Sequence, residues 1–154
     1  GKFLTGTPKM NLPNPRYFLP AVAAMTFLIA LLCASLARAE SQEQIIAEVI
    51  AAEAAGEGER GLRAVACVIA NRARAWNKTP YQIVTAKNQF YGYTAKNRHR
   101  LYLQVKPIAD KLARNIMRLP DITGGALYFR TEQERLFPWC KNRTVKIGNH
   151  IFYK

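Results

Sequence analysis

Acidic residues are scarce in this chain. Of its 154 residues only ten are Asp or Glu, against 23 Lys and Arg, a formal net charge of +13. Six of the ten acids lie between Glu40 and Glu59, and from Gly61 onward only Asp110, Asp121, Glu132 and Glu134 remain. Histidine and cysteine are also sparse, with two and three copies. His99 and His150 stand alone and no C-x-x-C pair occurs, so the sequence points to no metal site and calls for no cofactor. The cysteines are too few for a disulfide scaffold. Internal repeats and low-complexity linkers are absent, which sets aside solenoids and disordered tails. What is present suits one small domain: 49% of residues are hydrophobic, enough to pack a core without metal or dense cross-links.

A cationic chain suggests a polyanionic partner: nucleic acid, an anionic membrane face or an anionic wall polymer. The N-terminus narrows the choice. Residues 18–36, "FLPAVAAMTFLIALLCASL", carry no charge, follow Lys2, Lys9 and Arg16, and precede "ARA" at residues 37–39. Met10 offers a native start, and small residues at Ala37 and Ala39 fit a signal-peptidase site. Three readings stay open: a cleaved signal peptide, an uncleaved membrane anchor contacting the bilayer through residues 18–36, and a buried core helix. Either export reading puts residues 40–154 outside the cytoplasm, in the periplasm or the cell wall, and sets nucleic acid aside. The domain boundary is then 1–39 for the leader and 40–154 for the functional domain. Attraction to an anionic envelope polymer, or simply a solvated surface, accounts for the basic excess. Cys67 and Cys140 would remain after cleavage, either as a disulfide or as buried thiols.

Periodicity places the elements. Ile45, Ile46, Val49 and Ile50 predict an amphipathic helix over 42–55, with Ser41 and Gln44 as a capping box and Gly56 as its stop. Leu62, Val65, Ala66, Val68 and Ile69 form the stripe of a second helix over 59–76. Thr79-Pro80 opens a short helix to about Ala86. "NQFYGYTAKNRHR" reads as a loop, and 101–119 as a helix kinked or restarted at Pro107. "DITGG" is a turn, "ALYFR" a strand, and "TVKIGNHIFY" a hairpin turning at Gly148-Asn149. The expectation is an α+β domain, mainly helical with a minor C-terminal hairpin.

Within the acidic island, Glu53 sits in the last turn of a helix whose other face is apolar. The helix dipole disfavours a carboxylate there, so stability does not ask for one. Half-buried, such a carboxyl keeps its proton toward neutral pH and suits a general acid. The bland alternative is a surface glutamate that solvates the helix end. Glu57 and Glu59, at the start of the next helix, are favoured by the dipole and need no further reason to be there. A two-carboxylate glycosidase needs a second acid about 5–10 Å from the first. The four late acids fall in no obvious site motif, which favours a single-carboxyl mechanism assisted by the substrate. Aromatics in loops and strand edges (Phe90, Tyr91, Tyr93, Tyr128, Phe129, Trp139) could stack on sugar faces or pack the core, and Tyr128 and Phe129 should point to opposite sides of their strand.

"AEAAGEGERGLRAVACVIANRAR", then "QF", "DITGGALYF", a Trp and "IGNHIFY" together resemble the SleB/CwlJ-type cell-wall hydrolase family over about residues 44–153. The resemblance implies a lysozyme-like, lytic-transglycosylase-like domain that cleaves peptidoglycan glycan strands without a cofactor. Glu53 would be the catalytic acid. Glu57, Asn71, Gln89, Phe90, Thr123, Gly124, Gly125, Tyr128, Trp139 and His150 match family motifs as residues lining or supporting the substrate site. The alternative readings are packing between helices for Asn71 and steadying of the hairpin for His150. Ile122 stands where the family often has Pro, and the segment around Trp139 is shorter than in spore enzymes. A muramidase-type hydrolase and a non-catalytic or membrane-anchored envelope-binding protein are the competing expectations.

Overall fold

The structure is a computed structural model, described over residues 15–138 and 140–154. Met10, the early lysines and Trp139 lie outside the described residues. The chain divides between Arg38 and Ala39 into two units. In the first, the side chains of Met25, Phe27, Leu28, Ile29, Leu31, Leu32 and Leu36 are exposed. By length and composition this helical stretch could cross a membrane, a test that signal sequences also pass.

The second unit holds the core. Its helices are the end of α1 (Pro15–Ala54), α2 (Gly58–Ala75), α3 (Pro80–Thr85), α4 (Tyr91–Thr94) and α5 (Arg98–Arg114). The strands are β1 (Tyr128–Thr131), β2 (Arg143–Ile147) and β3 (His150–Tyr153). They form one antiparallel sheet in the order β1-β3-β2. The fold is therefore the expected one, mainly helical with a small sheet at its C-terminal end.

The apolar stripes of α1 and α2 meet at the centre. Val49, Ile50, Leu62, Val65 and Ile69 are fully buried there, joined by Ile83 and Val84 of α3 and Ala109 and Leu112 of α5. The opposite face of α2 carries Ala64 and Val68, which pack on Ala126, Ile147 and Phe152 of the sheet region. α2 thus sits between the helical core and the sheet, and residues on its two sides reach different parts of the molecule.

Local chemistry explains the boundaries. Ser41 does not cap a helix, because α1 runs through it; Gln44 instead donates to Glu48 (3.1 Å). α1 ends in a tight 3-10 turn, Ala55–Glu57, rather than stopping at Gly56. Thr79 builds the capping box of α3: its hydroxyl accepts from the Gln82 amide (3.2 Å) and its own amide donates to the Gln82 side chain (2.9 Å). α5 starts at Arg98, earlier than the hydrophobic pattern predicts. Arg98 and His99 both reach buried Glu48, at 2.8 and 2.9 Å, and tie that first turn to α1. Pro107 lies inside α5, with the kink falling at Val105 (φ −127°, ψ 17°). Cys67 and Cys140 are free thiols: Cys67 donates to the Pro120 carbonyl, and Cys140 packs with Ile151 and Tyr153.

Candidate active site

The buried face of α1, with Ala51 and Ala54, sets the angle at which Glu53 leaves the helix. Glu53 is half-buried, and its Oε1 accepts the amide of Gly92 at 2.5 Å. Gly92 belongs to α4, the short element that lies against this end of α1. A Cβ on Gly92 would stand 2.9 Å from both Ala52 Cβ and Glu53 Oε1, and 3.1 Å from the Val49 carbonyl. Only glycine lets the backbone approach the carboxyl this closely. Burial pushes the Glu53 pKa up, and the Gly92 amide works against that rise. The negative charge of Glu134 adds to it, the positive charge of Arg72 reduces it, and the net result is a raised value.

Arg72 is the second feature. Only 6% exposed, it sends Nε to the Leu127 carbonyl (2.6 Å) and Nη1 to the backbone and side-chain oxygens of Gln89 (3.4 and 3.2 Å). Its guanidinium lies over the rings of Phe90, Trp76 and Tyr128, at 4.9, 5.4 and 5.4 Å. Gln89, Phe90 and Tyr128, three of the expected site residues, are thus gathered by one cation. Two cavities open beside them. One, of about 460 Å³, is lined by Arg72, Trp76, Gln89 and Tyr128 among others; the second, about 600 Å³, by Phe90, Tyr91 and Tyr93. Asn88 lines both. Glu53 lines neither, and meets this wall through Gly92, two residues beyond Phe90.

Other expected residues sit elsewhere. Asn71, next to Arg72 but on the far side of α2, donates to Thr123 Oγ1 (3.3 Å) and the Ala126 carbonyl (3.1 Å). Buried Thr123 donates its hydroxyl (2.6 Å) and its amide (2.8 Å) to Asp121, whose other oxygen accepts the Gly125 amide (2.5 Å). Asn71, Thr123, Gly124 and Gly125 therefore shape the loop leading into β1. Glu57 faces the hairpin: its oxygens accept the amide (2.8 Å) and side chain (3.1 Å) of Asn149. Gly148, at φ 57°, lies so close that a Cβ would run into the Glu57 carboxylate. These bonds from Asn149 hold the Glu57 pKa down.

His150 follows directly, buried and edge-on to Phe129 (5.0 Å, 64°) and Phe152 (6.3 Å, 87°). Burial lowers its pKa against the pull of Glu57 and Glu134, and its Nδ1 is buried without a hydrogen bond. Phe129 continues from His150 to Phe90 (6.3 Å), so β1 and β3 extend the aromatic wall. Of the Tyr128/Phe129 pair, Phe129 packs against the main core while Tyr128 packs beside Cys140, Ile151 and Tyr153 and meets Arg72; both line the cavity.

Three contributors escaped sequence reasoning. Arg72 had a signal: it falls three, four and seven residues after Ile69, Val68 and Val65, a cation on an apolar stripe. Gly92 had none beyond its place among aromatics. Glu134 lies in the turn after β1, where its carboxylate accepts the Thr131 amide (2.5 Å), near enough to act on Glu53 and His150.

The sequence profile of the cell wall hydrolase family matches residues 56–153. No curated protein sequence matches the chain. Two solved structures resemble it. The catalytic domain of the germination-specific lytic transglycosylase SleB from Bacillus anthracis is 30% identical over 73% of this chain and 93% of that one, with a TM-score of 0.60. The catalytic domain of the Bacillus cereus SleB protein is 28% identical over 75% and 91%, with a TM-score of 0.62.

Proposed function

The chain belongs to the cell wall hydrolase family, and from that premise we propose that it is a peptidoglycan lytic transglycosylase using Glu53 as its single acid and base. Protonated Glu53 donates to the glycosidic oxygen between N-acetylmuramic acid and N-acetylglucosamine as that bond breaks. The muramyl C6 hydroxyl closes on C1, and Glu53 takes up its proton, leaving a 1,6-anhydro end. The observation that carries this reading is the environment of Glu53: burial raises its proton affinity, and one backbone amide fixes it in place. No metal or cofactor enters the scheme. Arg72, Gln89, Phe90 and Tyr128 would hold sugars along the wall, while Glu57 and His150 set the position of the hairpin behind it.

The apolar N-terminal helix and the family agree with export or membrane anchoring. We take residues 1–39 as the leader or anchor and 40–154 as the catalytic domain. The basic surface of the latter would draw it to anionic envelope polymers.

One observation favours a second reading. Glu134 is near enough to influence Glu53 electrostatically, and a second carboxylate could direct water, as in a muramidase. Mass spectrometry of the products released from purified peptidoglycan separates the two. Anhydro-muropeptides are the expected result; reducing ends that disappear with Glu134→Gln would replace transglycosylation with hydrolysis. Wall binding with no sugar released would leave a non-catalytic envelope-binding protein.

A further inference from the structure

We propose that the cavity floored by Arg72 binds a carboxylate of the peptide stem carried by the muramyl sugar. The inference rests on the glycosidase reading, which places a peptidoglycan strand along this wall, and it names what the strand presents to one corner of it.

A guanidinium as buried as this one ordinarily meets a carboxylate, because an uncompensated charge is costly away from water. Arg72 does not. Its hydrogen bonds, from Nε and Nη1, end on the neutral oxygens of Leu127 and Gln89. Among the described residues only Nε and Nη1 of Arg72 make hydrogen bonds, and Arg72 lines the cavity, which leaves Nη2 to meet a ligand there. The rings of Phe90, Trp76 and Tyr128 flank the cation and hold its plane fixed. Glu53 is the acid that reaches it electrostatically, but among the described residues no ion pair or hydrogen bond joins the two, so Glu53 does not fill the open corner of the guanidinium.

The cavity beside this cation measures about 460 Å³, within the range of small-ligand sites, and Asn88 and Gln89 are among its lining residues. A carboxylate there would accept from Nη2 as a charge-assisted bond and complete the charge balance that the protein leaves open. A glycan strand carries its carboxylates on the stem, which hangs from the lactyl group of the muramyl residue. An acetamido carbonyl could also accept from Nη2, but it would leave the buried charge uncompensated.

The test uses the full chain, first with the site unchanged. A stem tripeptide with free carboxylates, and the same peptide with them amidated, are titrated while tryptophan emission is followed, Trp76 being a lining residue. Saturable binding by the free acid, weakened about tenfold or more by amidation, is expected, since one charge-assisted bond to a buried cation is lost. Asn88→Asp, at an exposed position with φ 60° that Asp tolerates, should weaken the free-acid peptide and leave the thermal midpoint in place. Glycan strands whose stem carboxylates have been converted to amides should be cut about tenfold less efficiently than unmodified strands, the lactyl amide staying intact in both.

Absence of saturable free-acid binding, or equal binding of the amidated peptide, overturns the proposal whatever the cleavage ratio. If unmodified and amidated strands are cut equally, the site has no part in substrate selection and the proposal also falls, while the glycosidase reading stands. If the peptide binds as expected but no strand is cut, the binding site stands and the glycosidase reading fails.

Discussion

The end of α1 and the loop before β1 each present a carboxylate to backbone amides, with opposite outcomes. Asp121 is desolvated, which would raise its pKa, but Thr123 donates both hydroxyl and amide and Gly125 a second amide, so the value falls below the usual carboxylate range. Glu53 is desolvated too, yet among the described residues it accepts only the Gly92 amide, and its value rises. The depth of burial and the number of donors together decide which effect wins: Asp121 is exposed and well supplied with donors, Glu53 is half-buried with one. A carboxylate given three donors becomes a fixed anion that shapes a loop. One buried more deeply and given a single donor is held in place with its proton affinity raised. Glu57, bound twice by Asn149, falls on the Asp121 side of this divide.

The comparison can be broken most severely at Glu53. Glu53→Gln keeps shape and size but cannot exchange a proton, so release of muropeptides should fall about 10²–10⁴-fold, the scale of general acid catalysis. Gly92→Ala leaves the carboxyl in place but moves its donor. The added Cβ would force α4 away from α1, and a loss of about 10- to 100-fold in kcat with a folded circular-dichroism spectrum is the outcome to look for.

Asp121→Asn should act on stability instead, lowering it by about 1–3 kcal/mol in urea titrations, with kcat of the folded fraction retained. Because the folded pKa of Asp121 is depressed, its contribution is present above the unfolded value near 3.9 and is lost as pH falls through the folded value. Glu57→Ala unlatches the hairpin from the end of α1. At this partly exposed site a cost of about 1 kcal/mol is expected, with Glu57→Gln retaining most of the loss.

The smallest effect is the most specific. The folded pKa of Glu53 is raised, so its stabilising contribution is present below the unfolded value near 4.3 and lost as pH rises through the folded one. Glu53→Gln should therefore melt about 2–4 °C above wild type at neutral pH, the gap closing in acid.

This contrast was only half legible in the sequence. The α1 and α2 stripes, the Thr79-Pro80 cap and the Gly148-Asn149 turn depend on local pattern, and the elements follow them. α4 did not declare itself, since Tyr91–Thr94 is too short to show a period and takes its place by packing on α1. The acidic island pointed to Glu53, but what separates its members is contact across the chain. Glu48 is matched by Arg98 and His99, Glu57 by Asn149, and neither pairing can be read from spacing. Arg72 left a signal that went unread, a charge on an apolar stripe, and its partners Leu127 and Gln89 come from loops that periodicity does not position.

The central claim is that Glu53 holds a proton because it is buried with a single donor, and that this proton is the one used in catalysis. Carboxyl-¹³C NMR titration of Glu53, assigned by its absence in Glu53→Gln and laid beside the pH dependence of muropeptide release, tests it most directly. The account predicts that Glu53 titrates above the ordinary glutamate range and that activity declines on the alkaline side with the same midpoint. A Glu53 that titrates as an ordinary surface glutamate, or activity that persists undiminished after Glu53 has lost its proton, would contradict it.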